Sequence, residues 1–353
     1  MSDMTPPDAL KKRPWAGEKK AIKPRPITIS EEGMVELSRL EGGGPLPLVM
    51  RPAVSMNLAA WAGRNRDFVE SNLLRHGAIL FRDFRVGSVE EFGEFTRALS
   101  GEPMEYRERS SPRHEVGDRV YTSTDYPAGQ SIFPHNEHSY SLRLPLKLLF
   151  FCLEPAERGG ETPIADCRKI YRRLDPRIRE RFARKGYVYV RNFGEGFGVP
   201  WQTAFQTEDR GAVEEYCRRN LIEFKWKEGD RLLTRQVRPA AARHPRTGEM
   251  VWFNHATFFH VSTLEPTIRD GLLAAFEERD LPNNTYYGDG SPIEPSVLDE
   301  LRRAYLEELV SFEWREGDVL LIDNMLTAHS RRPYTGPRKI LVAMTDPYVR
   351  PDF

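Results

Sequence analysis

The chain reads as a mainly β fold with surrounding helices, a distorted barrel or sandwich in preference to a doubly wound sheet. Three observations lead there. Short runs of aromatic and branched residues recur along the chain, among them "LKLLFFCLE" (146–154), "LLTRQVRP" (232–239) and "MVWFNHA" (250–256). Helical patterns and long loops lie between them without a regular strand–helix alternation. The C-terminal stretch 310–346 reads as strand, turn at Glu316-Gly317-Asp318, strand, loop, strand.

The elements follow in chain order. Residues 1–30 are rich in Pro and Lys, as in "KKRPWAGEKKAIKPRP", and predict a basic, flexible arm ahead of one domain over 31–353. "LPLVMRP" (46–52) and "GAILFRDF" (77–84) predict short apolar strands. Between them, residues 58–77 carry helical periodicity that stops at Gly77. In "GSVEEFGEFTRALS" (87–100), Ser88 stands three residues before Glu91, a capping-box start for a helix. "RVYTSTDY" (119–126) and "GETPIAD" (160–166) predict further strands. Asp175 and Pro176 open a helix as N-cap and first helical residue. Two more helices are expected at 268–280 and 296–309.

Charge and composition exclude several classes. Lys+Arg and Asp+Glu both number 52, so the chain lacks the basic excess that a nucleic-acid partner requires. No run of apolar residues is long enough to span a membrane. The start shows no apolar secretory segment, and the three cysteines, Cys152, Cys167 and Cys217, form no CxxC pattern. They read as reduced thiols of a cytoplasmic protein.

The chemistry concentrates in "FPHNEHSYS" (133–141), where His135, Glu137 and His138 fall within four residues. On a strand, residues two apart share a face, so His135 and Glu137 reach one ion and His138 points away. A third ligand must come from elsewhere, and His329, following an apolar strand, is the candidate. Arg338 stands nine residues further on, across a "PYTGP" turn. A hairpin there would bring its guanidinium beside His329. His255 and His260, in an aromatic stretch, read as hydrogen-bonded core or pocket histidines. Two histidines and a carboxylate on one face of an ion suit an Fe(II) oxygenase, and similar ligands serve zinc hydrolases. Arg338 favours the first, because a guanidinium clamps the distal carboxylate of 2-oxoglutarate through paired hydrogen bonds.

Four motifs in order, "VYTSTDYPAGQSIFPHNEHSYS", "FFCLEPAERGGETPIADCRKIY", "VWFNHATFFH" and "GDVLLIDNMLTAHSRRPYTGPRKILVAM", make the chain resemble a known group. They resemble the taurine dioxygenase-like (clavaminate synthase-like) superfamily of Fe(II)/2-oxoglutarate-dependent oxygenases, especially its syringomycin-biosynthesis-type aspartyl hydroxylases. The resemblance implies a double-stranded β-helix (jelly-roll) core with Fe(II) at one open end, and 2-oxoglutarate and O2 as cosubstrates. It carries the metal role onto His135, Glu137 and His329. It carries the 2-oxoglutarate role onto Arg338 and Thr162, and a substrate-pocket role onto Asn254 and His255. Relatives that bind an anionic substrate carry a second arginine four residues past the clamp, where this chain has Val342. Halogenating relatives lack the metal carboxylate, which is present here as Glu137.

The implied reaction is hydroxylation of an unactivated C–H of an amino acid or amino-acid-derived substrate in natural-product biosynthesis. The same chemistry serves desaturation or epoxidation, and a non-catalytic small-molecule binder is the alternative. "RKIYRRLDPRIRERFARK" (168–185) carries nine basic residues against two acidic. That segment predicts either a solvated helical face or a docking surface for an acidic carrier protein that presents a tethered substrate.

Overall fold

The computed structural model describes residues 31–351 apart from 41–43, 45, 106–113, 124–125 and 195–197. The expected arm at 1–30 lies outside the described residues. The largest sheet has eight strands in the order Val35–Arg39, Leu48–Pro52, Ala78–Phe81, Val319–Asp323, Arg143–Glu154, Lys339–Val349, Val120–Thr122, Glu115–Gly117. Among the described residues, only Leu48–Pro52 and Ala78–Phe81 pair in parallel.

The central Arg143–Glu154 strand is buried on both faces, which is why it reads as a nearly continuous apolar run, interrupted by Lys147. Side chains alternate along it. Leu149 and Phe151 pack with Phe92 and Phe95 of the Val89–Ser100 helix, and with Trp61 and Leu73 from the helices Leu58–Arg64 and Arg66–His76. Leu148, Phe150 and Cys152 take the other face with Ile164, Ile340 and Val342. Each such large side chain, fully buried, contributes about 1.5–3 kcal/mol. A slip of one residue would exchange Phe150 and Phe151 between the two faces, so the core fixes the register.

On the Phe150 face lies a three-stranded sheet, Ile132–His135, Thr327–Arg331, Ile164–Asp166. A four-stranded sheet, Glu223–Lys227, Arg231–Arg238, Tyr187–Phe193, Asn283–Tyr287, backs the aromatic wall described below, with Tyr189 stacked on Phe259. Among the described residues, no helix is long and apolar enough to cross a membrane.

Several expectations need correction. The periodic stretch 58–77 is two helices, because Asn65 leaves helical geometry (φ −115°, ψ 29°) and turns its Nδ2 onto Trp61 O. Gly77 ends the second in the left-handed conformation, with φ 80°. The 268–280 helix instead runs Pro266–Ala275 and gives way to a short 3-10 turn at Glu278–Asp280. The stretch 310–314 forms no strand, only a bridge at Val310. Its Phe312 and Trp314 are apolar because they fill the core, not because they pair.

Candidate metal centre and adjoining cavities

His135 and His329 are direct partners across antiparallel strands, and their ring centroids lie 4.4 Å apart. His135 turns Nδ1 onto Phe133 O at 3.0 Å, which makes Nε2 the candidate ligand atom. Glu137 is not on the strand, which ends at His135; the following turn carries it. Parity along a strand is therefore not what aligns Glu137 with His135. His138 sits in that turn at φ 55°, with Nε2 3.8 Å from the Glu137 carboxylate.

Asn324 is central to holding the turn in place. Asn324 donates from Nδ2 to Glu137 O (2.8 Å) and Pro145 O (2.9 Å) and accepts from Glu137 N at 2.8 Å. Asn136 in turn donates to Asn324 O at 2.7 Å. Asp323 accepts from the backbone N–H groups of Met325 and Leu326, shaping the corner that launches the His329 strand. Sequence reasoning passed over "DNM"; a polar pair directly after an apolar strand was the available signal.

Together these elements bring ligand atoms of His135, Glu137 and His329 within 4.8 Å of one another, all three side chains buried. Two neutral imidazoles and one carboxylate suit a divalent ion of borderline hardness.

A narrow pocket opens from His135 and His329 toward Thr162, Arg338 and Val342. Arg338 arrives there by a route the sequence did not foretell. The His329 strand and Lys339–Val349 belong to different sheets, so no hairpin joins them. A small ladder, Tyr334–Thr335 against Arg158–Gly159, turns the chain across. Arg338 Nε donates to Gly160 O at 2.8 Å, and one terminal nitrogen reaches Ser123 Oγ at 3.3 Å. A Cβ on Gly160, whose φ is +73°, would meet Arg338 Cδ at 2.9 Å, so only glycine admits the arginine stem. Burial, and then the charge of Arg331, hold the Arg338 pKa down to about 10, still well above neutrality. The site is primed for an anion. Thr162 Oγ1 accepts from Trp314 Nε1 at 3.1 Å.

On the other side of His135 and Glu137 lies a cavity of about 410 Å³, walled by Phe133, His255, Phe258 and Phe259. His255 stacks on Phe259 (centroids 4.7 Å, 20°), and burial, then the neighbouring imidazole of His135, push its pKa well below the usual histidine value. Asn254 is directed elsewhere. Its Nδ2 donates to Ala240 O and its Oδ1 accepts from Ala256 N, so it shapes the loop that carries His255. Glu265 lies at the cavity rim, and the described lining residues include no lysine or arginine.

The basic segment 168–185 is largely answered within the chain. Arg168 pairs with Asp166 and Glu249, Lys169 and Arg173 with Glu308, Arg181 with Glu294, and Lys185 with Asp289. The strong local field read from the sequence is thus offset by acids brought from elsewhere in the chain.

A sheet-built core with a buried two-histidine, one-carboxylate cluster beside a buried arginine fits a class of oxidising enzyme, and the sequence comparison agrees. Residues 44–345 match the taurine catabolism dioxygenase TauD, TfdA family, and the chain belongs to that family. Dapdiamide synthesis protein DdaC of Enterobacter agglomerans is 40% identical over 79% of this chain and 85% of its own length. A clavaminate synthase-like protein of Arabidopsis thaliana is 29% identical over 85% of this chain and 89% of its own. Among solved structures, PvcB of Pseudomonas aeruginosa superposes with a TM-score of 0.55 at 16% identity, covering 88% of this chain and 91% of its own.

Proposed function

We propose that this dioxygenase binds Fe(II) through His135, Glu137 and His329 and 2-oxoglutarate through Arg338 and Thr162. In this reading it hydroxylates an unactivated C–H of an amino-acid-derived substrate in natural-product biosynthesis. The observation that carries it is the buried His135–Glu137–His329 cluster sharing one pocket with a buried, charged Arg338. A zinc hydrolase has no use for that guanidinium. The large sheet facing the three-stranded sheet is consistent with a double-stranded β-helix core. The relationship to DdaC, a dapdiamide synthesis protein, favours a biosynthetic role.

When bound, iron with O2 and 2-oxoglutarate supplies the oxidising power, and the cosubstrate leaves as succinate and CO2. The chain does the positioning. Arg338 fixes the distal carboxylate and Thr162 adds a hydroxyl beside it, so the cosubstrate enters in one orientation. Phe133, Phe258 and Phe259 exclude water from the cavity and face the substrate toward the His135–Glu137 side.

Glu137 retains the metal carboxylate and leaves no room for a halide in its place. Because the 168–185 cations are largely paired, a free small molecule fits better than one delivered by an acidic carrier. Metal analysis combined with 2-oxoglutarate-dependent O2 uptake, followed by a screen of free and carrier-tethered amino acids, tests the proposal. Zinc in place of iron, or O2 uptake indifferent to 2-oxoglutarate, would overturn it.

A further inference from the structure

We propose that Glu265 is the specificity-determining residue of the aromatic cavity and that the group it receives is an ammonium, so that the substrate is an amine bringing no carboxylate into the cavity. This rests on reading that cavity as the substrate cavity of the proposed oxygenase.

The Glu265 carboxylate is not used by the fold. It stands at the N-cap of the Pro266–Ala275 helix, yet its side chain makes no capping hydrogen bond. Arg269, one turn along the same helix, gives its guanidinium to Asp270 instead. The two partners that a glutamate at this position would ordinarily find are both passed over. Among the described residues the carboxylate makes neither a hydrogen bond nor an ion pair, and it borders the cavity.

The backbone that presents it is fixed before any substrate arrives. Glu265 closes the stretch that also supplies Phe258, Phe259, Thr263 and Leu264 to the cavity wall. Arg302 donates to Ser262 Oγ at 3.0 Å and to Thr263 Oγ1 at 3.3 Å. Thr263 Oγ1 donates to Thr257 O at 2.7 Å, and Val261 N donates to Asn284 Oδ1 at 3.1 Å. Pro266 then sets the first helical residue. A carboxylate carried on such a frame binds without the cost of ordering its loop.

The charge of the wall selects the ligand. Glu137 and Glu265 are the acids of the described lining, which holds no lysine or arginine. Glu137 is committed to the metal in the proposed reading. There the charges of Fe(II), Glu137, Arg338 and 2-oxoglutarate cancel, so the reaction centre has no surplus positive charge to draw an anion. A substrate carboxylate would meet Glu265 without a counter-cation. An ammonium brings three donors and no acceptor, which suits a carboxylate, and the aromatic lining favours a cation further.

The test uses the full chain without metal, so its outcome is separate from that of the iron and 2-oxoglutarate assays. Three probes of one size are titrated and followed by ligand-observed NMR: benzylammonium, benzyl alcohol and benzoate. The native chain should bind benzylammonium about fivefold more tightly than benzyl alcohol, and benzoate most weakly. Glu265 is exposed at the rim, so the preference should narrow as salt rises. Glu265→Gln should bring benzylammonium down to the level of benzyl alcohol and leave benzyl alcohol unchanged. Equal binding of these two probes by the native chain, or a preference that survives in Glu265→Gln, overturns the proposal while leaving the cavity reading in place. Tightest binding of benzoate, or no binding of any probe, overturns it as well.

Discussion

His135 and His329 face each other directly across two antiparallel strands, with ring centroids 4.4 Å apart. One strand pairing therefore sets both imidazole positions, while Glu137 is supplied by the turn that follows. Removing any of the three leaves two ligands, too few to fix a facial site. His135→Ala, Glu137→Ala and His329→Ala should each retain no stoichiometric iron by metal analysis, whereas His138→Ala should retain it. Iron lost in His138→Ala and kept in Glu137→Ala would exchange the roles of these neighbours.

Asn324 makes three hydrogen bonds that tie the Glu137 turn to the corner before the His329 strand. Asn324→Ala should lower iron affinity about 10–100-fold, the usual effect of losing a residue that orients a ligand. It should also destabilise the fold by about 2–4 kcal/mol in urea denaturation, since buried backbone groups lose their partners. Native iron affinity in this variant would show that the turn holds its shape without Asn324.

Arg338 should dominate cosubstrate affinity. Arg338→Ala leaves a buried carboxylate unpaired, a loss of about 3–5 kcal/mol, seen as a KM for 2-oxoglutarate raised by about two to four orders of magnitude. Thr162→Val should cost about 1 kcal/mol in the same assay. An unchanged KM in Arg338→Ala would move the clamp to Arg331.

His260 links stability to pH. Its ring accepts from Ser262 N, and burial and then Arg302 hold its pKa down to about 4, against the usual 6.5. A histidine with a depressed pKa in the fold takes up its proton more readily when unfolded. Its contribution is therefore complete above about pH 6.5 and is lost as the pH falls toward 4. Between pH 7 and pH 4.5, His260→Gln should lose about 2–3 kcal/mol less stability than the native chain in urea titrations. Parallel pH profiles would remove His260 from the acid transition.

Arg181 pairs with Glu294, and Lys185 with Asp289, at the surface. Charge reversal at Arg177, Arg181 and Arg184 should leave turnover of a free small-molecule substrate unchanged from low to high salt. Salt-sensitive turnover of a carrier-tethered substrate, lost in the reversed variant, would restore this face as a docking surface.

Much of the local structure was legible from residue order. Ser88 and Asp175 cap their helices where the sequence places them, each accepting from a first-turn N–H, because such caps need only neighbours in sequence. The apolar run at 148–153 reads as a buried element, and His135, Glu137, His329 and Arg338 stand out by residue type and spacing.

What residue order could not supply was long-range. Strand parity offered a reason for pairing His135 with Glu137, but a turn pinned by Asn324, 187 residues away, aligns the carboxylate. A hairpin offered a route for Arg338, but the crossing between two sheets delivers it. The basic stretch 168–185 looked like a charged face until Glu294, Glu307 and Glu308 came from the other side of the chain to meet it. Asn254 and His255 are adjacent in sequence, yet one is consumed by backbone hydrogen bonds and the other lines the cavity. Residue order by itself singled out the candidate groups for the chemistry and the helix starts at Ser88 and Asp175. The tertiary structure decided which groups meet, because hydrogen bonding and charge pairing depend on separations of a few ångströms that only the folded chain sets.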